Sequence, residues 1–191
     1  MVQLRLVPFP NLYTERLILR EPSFDDAASL FELRSDPEVM KYVPREPAKN
    51  VEEVSDFISM INDWHQKKTA ILWFICRKEN PLGVLGTIGL WKFEFESYRA
   101  EVGFMLNRIQ QNKGYMFESL HQVLQYGFDD VNLHSIEARV DPQNTSSIKV
   151  LDKVGFQREG QLTESLFNKG QFRDNIIYSL LKRTYRKAAK L

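Results

Sequence analysis

AEVGFMLNRIQQNKGYMFESLHQVLQYGF, running from Ala100 to Phe128, places a strand, a polar loop and a helix start in immediate succession. The first part, AEVGFMLN, reads as a strand. The loop RIQQNKGY carries Arg108 and Lys113, with no acidic residue before Glu118. From Tyr115 onward, Phe117, Leu120, Leu124 and Phe128 recur at helical spacing and predict one buried stripe. A strand, turn and helix start in this order cradle a phosphate. Free N–H groups converge at the turn and the first helical turn, and the helix dipole favours negative charge there. Lys113, Gly114, Tyr115 and Met116 supply those N–H groups, and Gly114 has no Cβ to hold a ligand away.

A second block of the same kind follows. VDPQNTSSIKVLDKVGF comes after the predicted strand HSIEARV; Asn144 is a natural N-cap for a helix bearing Ile148, Val150, Leu151 and Val154, and Gly155 ends it. A plain capped amphipathic helix accounts for Asn144 and Gly155 equally well. Two strand–loop–helix units with polar turns suit one shared cleft.

Working outward, ERLILRE (Glu15 to Glu21) reads as a strand. Ser23 and Asp26 stand at capping-box spacing before a helix with Phe24, Ala27, Leu30, Phe31 and Leu33 on its apolar face. Pro44 and Pro47 interrupt the chain. Asn50 then caps a helix with Val51, Val54, Phe57, Ile58, Ile61 and Trp64 at helical spacing. Strands follow: TAILWFICR, then VLGTIGLW after the turn signal Asn80-Pro81-Leu82-Gly83, then YRAEVGFML. Two more are expected near Gln157 to Leu162 and Asp174 to Leu181. The pattern predicts an α/β fold, a mixed sheet with helices on both faces.

Composition narrows the class. A chain of 191 residues with 43% hydrophobic and 12% aromatic content fits one globular domain spanning residues 1–191. A net charge of +1 gives no global reason to bind DNA or an anionic membrane. Cys76 is the only cysteine, which excludes an internal disulfide and a cysteine-rich metal site. His65, His121 and His134 fall on separate elements without metal-ligand spacing and read as structural, so no metal is expected. The start MVQLRLVPFP is not a secretory signal, and no apolar run reaches the ~18 residues of a membrane helix, so a cytoplasmic location is expected. The basic tail KRTYRKAAK reads as a solvated end or a contact for an anionic partner such as ribosomal RNA.

The spacing N-x-x-S-I-x-x-L-x-K-x-G-F (Asn144 to Phe156), with the AEVGF strand and K-G-Y-x-x-E (Lys113 to Glu118), resembles the GNAT acetyltransferase superfamily. TERLILREPSFDDAASLFELRSDPEVMKY is similar to its ribosomal-protein-alanine N-acetyltransferase branch, and the resemblance extends from about Thr14 to Leu181. The family's Q/R-x-x-G-x-G/A loop reads here Ile109-Gln110-Gln111-Asn112-Lys113-Gly114, with Asn112 in place of the first glycine and Ile109 in place of Q/R. Asparagine tolerates left-handed backbone, so the turn is expected to survive.

The resemblance implies a mostly antiparallel, splayed sheet with acetyl-CoA, the acetyl-donor cosubstrate, entering between AEVGFML and HSIEARV. The pantetheine arm would pair with the backbone of Phe104, Met105 and Leu106. The pyrophosphate would rest on the N–H groups of Asn112, Lys113, Gly114, Tyr115 and Met116, assisted by Arg108 and Lys113, with Asn144 near the pantetheine. The implied reaction is direct attack of an amine on the thioester. An amine attacks only when neutral; an α-amino group titrates at about 8 and lysine at about 10.4, so an N-terminus needs less help. Glu101, matching a carboxylate of the superfamily, is the candidate base, and a solvent-facing strand residue is the plain alternative. Ser147 matches a hydroxyl that would protonate the leaving thiolate, and equally reads as a helix-capping serine. Tyr115 suits phosphate contact or packing better than proton donation. Backbone N–H near Met105 would hold the oxyanion.

Trp91, Phe93 and Tyr98 are expected to line the acceptor pocket or act as core or lid, and Glu164 to act there as second base or recognition carboxylate. The expected function is N-acetylation of a primary amine, foremost a protein N-terminal α-amine. A small-molecule amine (amino acid, polyamine, antibiotic) and a non-catalytic acyl-CoA-binding regulator are the alternatives. A monomer and a homodimer fit equally.

Overall fold

The computed structural model describes Leu4 and residues 6–185. The basic tail beyond Tyr185 lies outside the described residues. Eight strands form one sheet in the order β1-β2-β3-β4-β5-β6-β8-β7. They are β1 (Leu12–Tyr13), β2 (Leu17–Arg20), β3 (Ile71–Arg77), β4 (Asn80–Glu94), β5 (Arg99–Leu106), β6 (Ser135–Val140), β7 (Gln157–Asn168) and β8 (Gln171–Leu181). Every pairing is antiparallel except β5 with β6, which is parallel. The helices are α1 (Ala27–Ser35), α2 (Val51–Lys67), α3 (Tyr115–Gln125) and α4 (Thr145–Val154).

Strand alternation sorts side chains onto two faces. Ala100, Val102, Ile136 and Ala138 face α3 and α4, where Leu120, Val123, Leu124 and Leu151 complete the larger core. The opposite face carries α1 and α2, whose Leu30, Leu33, Val54, Ile58 and Ile61 pack on Leu72, Phe74, Cys76 and Val84. Those sheet residues belong to β3 and β4, so α1 and α2 sit over that half of the sheet.

Local signals explain most boundaries. The Asn50 side chain accepts from Glu53 N–H at 2.9 Å and starts α2. The Asn144 side chain accepts from Ser147 N–H at 3.2 Å and starts α4, which Gly155 ends in the left-handed region (φ 103°). Ser23 and Asp26 do form a capping box, but over a 3-10 turn, Phe24–Asp26, that precedes α1. Phe24 is therefore exposed rather than on the apolar face.

Three sequence expectations are corrected. Asn80-Pro81-Leu82-Gly83 is no turn: β4 begins at Asn80, the reversal falls on Lys78 and Glu79, and Pro81 lies in the irregular stretch between the Arg77↔Asn80 and Cys76↔Val84 pairs, where its missing N–H costs no ladder bond. The buried stripe of α3 runs through Met116, Leu120, Val123 and Leu124, while Phe117 is half-buried beside His121 and beneath the Lys153 ammonium. The last two strands run well past the expected bounds, from Gln157 to Asn168 and from Gln171 to Leu181, forming one long hairpin. Their added length is largely exposed, its Phe167 and Phe172 pairing with each other at the surface rather than entering a core, so no buried apolar alternation marks it.

Candidate active site

Strands β5 and β6 pair only at Arg99↔Ser135, Ala100↔Ile136 and Glu101↔Glu137. Beyond Glu101 no further pair joins them, although β5 continues to Leu106 and β6 to Val140. The two strands splay, leaving one edge of Val102 to Leu106 without a strand partner. At ~3.3 Å per residue that edge runs roughly 16 Å from Glu101 to the loop leading into α3.

At the open end, Asn112 adopts φ 60° and Gly114 φ 82°, both left-handed. Asn112 thus takes the conformation expected of the replaced glycine, and Gly114 is the N-cap of α3 without a side-chain hydrogen bond. Two left-handed residues reverse the loop between the end of β5 and the start of α3. Lys113 Nζ donates to Gln110 Oε1 at 3.2 Å, and Arg108 is exposed in the 3-10 turn Arg108–Gln110. Met116 is buried, leaving only its backbone for a ligand; Leu106 is buried as well, and Phe104 and Met105 are half-buried.

Two cations here escaped the sequence reading. The guanidinium carbons of Arg16 and Arg77 lie 4.5 Å and 5.8 Å from the centre of the Tyr115 ring. Arg16 also pairs with Glu118 at 2.7 Å. Burial alone would raise the Glu118 carboxyl, but hydrogen bonds from Thr14 and Arg16, with the Arg16 charge, hold it below its ordinary value. No local pattern joins Arg16, Arg77 and Tyr115, because they meet only through sheet pairing and helix docking.

At the closed end stands a ladder across four strands: Trp91↔Glu101↔Glu137↔Ser179. Directly opposed residues share a face, here the one that carries α1 and α2. Glu101 Oε1 accepts from the Trp91 indole N–H at 3.1 Å, and Oε2 accepts from Lys92 Nζ at 2.8 Å. Arg139 Nε lies 3.6 Å from Glu101 and 2.7 Å from Glu137, and Arg99 pairs closely with Glu137. Burial acts to raise the Glu137 carboxyl; the hydrogen bonds and charges of Arg139 and Arg99 outweigh it and hold the group below its ordinary value. A small cleft is lined by Lys92, Glu94, Arg99, Glu101, Glu137 and Arg139. Of this cluster, sequence alone names Glu101 and Trp91 as candidates and does not mark Lys92, Arg99, Glu137 or Arg139. Its trace is the alternation of Arg99 with Glu101 and of Glu137 with Arg139, legible only once the parallel register is known.

Gly103 explains how the indole reaches Glu101. The Trp91 ring lies over it, and an added Cβ would stand 2.2 Å from Trp91 Cη2. A bulge does the same for Lys92. Trp91 pairs with Glu101 and Glu94 with Arg99, so β4 has one residue more than β5 between these rungs, and Lys92 sits there at φ 50°. Regular alternation would turn Lys92 away from Glu101; the bulge turns it back.

The other expected residues are dispersed. Ser147 is half-buried in the first turn of α4, beyond the C-terminal end of β6. The Tyr98 carbonyl accepts from His134 N–H at 2.7 Å, and this residue lies before the paired segment, away from the splay. Phe93 stacks on Phe95 with ring centres 5.8 Å apart. Glu164 is exposed at φ 48° in a bulge of β7, its N–H donating to Asp174 at 2.8 Å, with β6 and β8 between it and β5. The hairpin tip does reach the α1–α2 connection, Lys169 Nζ donating to the Met40 carbonyl at 2.9 Å, and the β6–α4 loop reaches it as well, the Tyr42 hydroxyl donating to the Gln143 carbonyl at 3.0 Å. Cys76 is buried, and burial pushes its thiol up to about 11, so it offers no thiolate nucleophile.

Residues 16–157 match the family model described as an acetyltransferase (GNAT) domain. The uncharacterized N-acetyltransferase p20 of Bacillus licheniformis is 42% identical over 92% of this chain and 98% of its own. A crystal structure of a GNAT-family acetyltransferase from Bacillus anthracis superposes with TM-score 0.80 at 31% identity, covering 91% of this chain and 99% of the other. At lower similarity, the Escherichia coli spermidine N(1)-acetyltransferase is 27% identical (87% of each chain), and its [ribosomal protein uS5]-alanine N-acetyltransferase is 26% identical (91% of this chain, 92% of its own). The chain belongs to the GNAT acetyltransferase family. It is an N-acetyltransferase that uses acetyl-CoA as its acetyl donor.

Proposed function

We propose that the acceptor is the α-amine of a polypeptide N-terminus and that Glu101 receives its proton. The observation that carries this reading is the parting of β5 from β6 immediately after Glu101 and Glu137. It leaves an open backbone edge between a carboxylate at one end and a left-handed, helix-capping loop at the other. Acetyl-CoA lies along that edge. Its pyrophosphate rests on the N–H groups of Asn112 to Met116 with Arg108 and Lys113, Arg16 and Arg77 adding positive charge, and its pantetheine pairs with Phe104 to Leu106 near Asn144. The thioester then reaches the Glu101 end, where the unpaired backbone edge beside Glu101, rather than that near Met105 roughly 13 Å further along the strand, takes the oxyanion and Ser147 protonates the departing thiolate.

Charge supports an acceptor with one amine. Around Glu101 the acids Glu94, Glu101 and Glu137 are matched by Lys92, Arg99 and Arg139, so the cleft carries no net negative charge to hold a polycation. An α-amine also needs less deprotonation than a polyamine nitrogen near the lysine range. The name of the uS5-alanine relative agrees with this choice, while the spermidine relative keeps a small-molecule amine as the second reading. CoA-thiol release tests the two, using alanyl and seryl peptides, free amino acids and spermidine as acceptors. The reading expects the peptides to be turned over at least tenfold better by kcat/KM. Preference for spermidine or a free amino acid favours the second reading, and no release with any amine overturns both.

A further inference from the structure

We propose that Lys92 is an internal acetyl acceptor, modified by this same site. The proposal rests on the reading of Glu101 as the proton acceptor. Lys92 Nζ lies 2.8 Å from Glu101 Oε2, where the ammonium of a bound acceptor would have to stand to give up its proton. The placement is built into the strand. A one-residue bulge and left-handed backbone at Lys92, a conformation unfavourable for a non-glycine residue, turn the side chain onto the face of Glu101. The two partners differ in exposure: the Lys92 side chain is 61% exposed and that of Glu101 12%. A nucleophile free to swing thus sits on a carboxylate that is held, with the Trp91 indole fixing its other oxygen. Glu101 is also the last rung before β5 and β6 separate, so this amine stands beside the closed end, where the splay begins.

The step balances without a further reagent. The Lys92 ammonium passes one proton to Glu101, and the neutral amine adds to the thioester carbonyl carbon. As the tetrahedral intermediate collapses, the C–S bond breaks and the nitrogen's second proton goes to the departing thiolate. The products are Nε-acetyl-Lys92, CoA and the proton on Glu101, which returns to water. The event happens once per chain. It removes the ammonium from Glu101 and leaves that carboxylate oxygen open to an external amine.

Lys67 is a matched control, because it too pairs with a carboxylate at 2.8 Å and is 65% exposed, but on α2 with Asp63. The full chain, incubated with acetyl-CoA and no acceptor, is followed by intact mass and peptide mapping. The expected result is a single added acetyl group, formed at Lys92 at least tenfold faster than at Lys67, slowed tenfold or more in Glu101→Gln and absent from that position in Lys92→Arg. Equal rates at Lys92 and Lys67 in the unaltered chain, or an unchanged rate in Glu101→Gln, would show uncatalysed acetylation and overturn the proposal. So would an unmodified Lys92 in protein that acetylates an added amine. The Glu101 reading fails separately, if Glu101→Gln turns over the added amine like the unaltered chain.

Discussion

Glu101 is the residue on which the proposed chemistry turns, and its setting is defined by three hydrogen-bond or ion-pair partners, Trp91, Lys92 and Arg139. Glu101→Gln keeps the shape but cannot accept the proton, so kcat/KM for an amine is expected to fall by about 10²–10⁴-fold, with acetyl-CoA affinity little changed. Steady-state kinetics beside calorimetric titration separates the two effects. Gly103 gives a second prediction. Any side chain there meets the Trp91 ring, so Gly103→Ala is expected to cost about 1–3 kcal/mol and to pull the indole from Glu101. Denaturant midpoints read the first effect, and a drop in kcat larger than that of Trp91→Phe reads the second. Residues of this kind are half legible in a sequence. Glu101 stands out because a family pattern points at it; Lys92 and Arg139 do not, because only a bulge and a parallel register bring them to it.

Among elements, the loop between β5 and α3 is where local sequence predicts most. Asparagine tolerates left-handed backbone, and Asn112 takes φ 60°. Asn112→Gly is therefore expected to fold and bind acetyl-CoA at least as well as the unaltered chain. In Asn112→Val the β-branched side chain adds roughly 1–2 kcal/mol of strain, weakening acetyl-CoA about tenfold. Calorimetry on the two variants checks the pair, and equal affinities would remove the loop from the site. Caps were legible for the same reason: Asn50, Asn144 and Gly155 act on backbone groups within a few residues. The long β7–β8 hairpin was not, because its outer half buries no apolar face. The Asn80-Pro81-Leu82-Gly83 signal misled because turn residues also suit the exposed start of a strand. Arg16 and Arg77 lay beyond local reading altogether, separated by most of α1, α2 and β3.

At the scale of the molecule, two cores on opposite faces of one sheet leave the β5–β6 junction as the place where pairing is incomplete. Its buried charges and a buried histidine also set the response to acid. Burial pushes His65 down to about 4, and its Nε2 accepts from Leu72 N–H at 3.1 Å, which requires an unprotonated ring nitrogen. Below about 6.5 the unfolded chain binds a proton that the folded chain refuses, so stability falls as pH drops from about 6.5 toward about 4, by on the order of 3 kcal/mol. Glu118 and Glu137 act in the same sense at lower pH: held below their ordinary value when folded, they lend stability that is lost as they protonate. Denaturant titrations at pH 7.5, 5.5 and 4.5 should show this loss, and His65→Gln should flatten its upper part. The proposed function joins an acetyl-CoA groove to a carboxylate that deprotonates a polypeptide α-amine. Its most direct test is kcat/KM for an alanyl peptide in the unaltered chain and in Glu101→Gln, with acetyl-CoA binding measured on both. Turnover that falls at least a hundredfold while acetyl-CoA affinity holds is the predicted result. Equal turnover in the two proteins, or no turnover of the peptide beside rapid acetylation of spermidine, would contradict it.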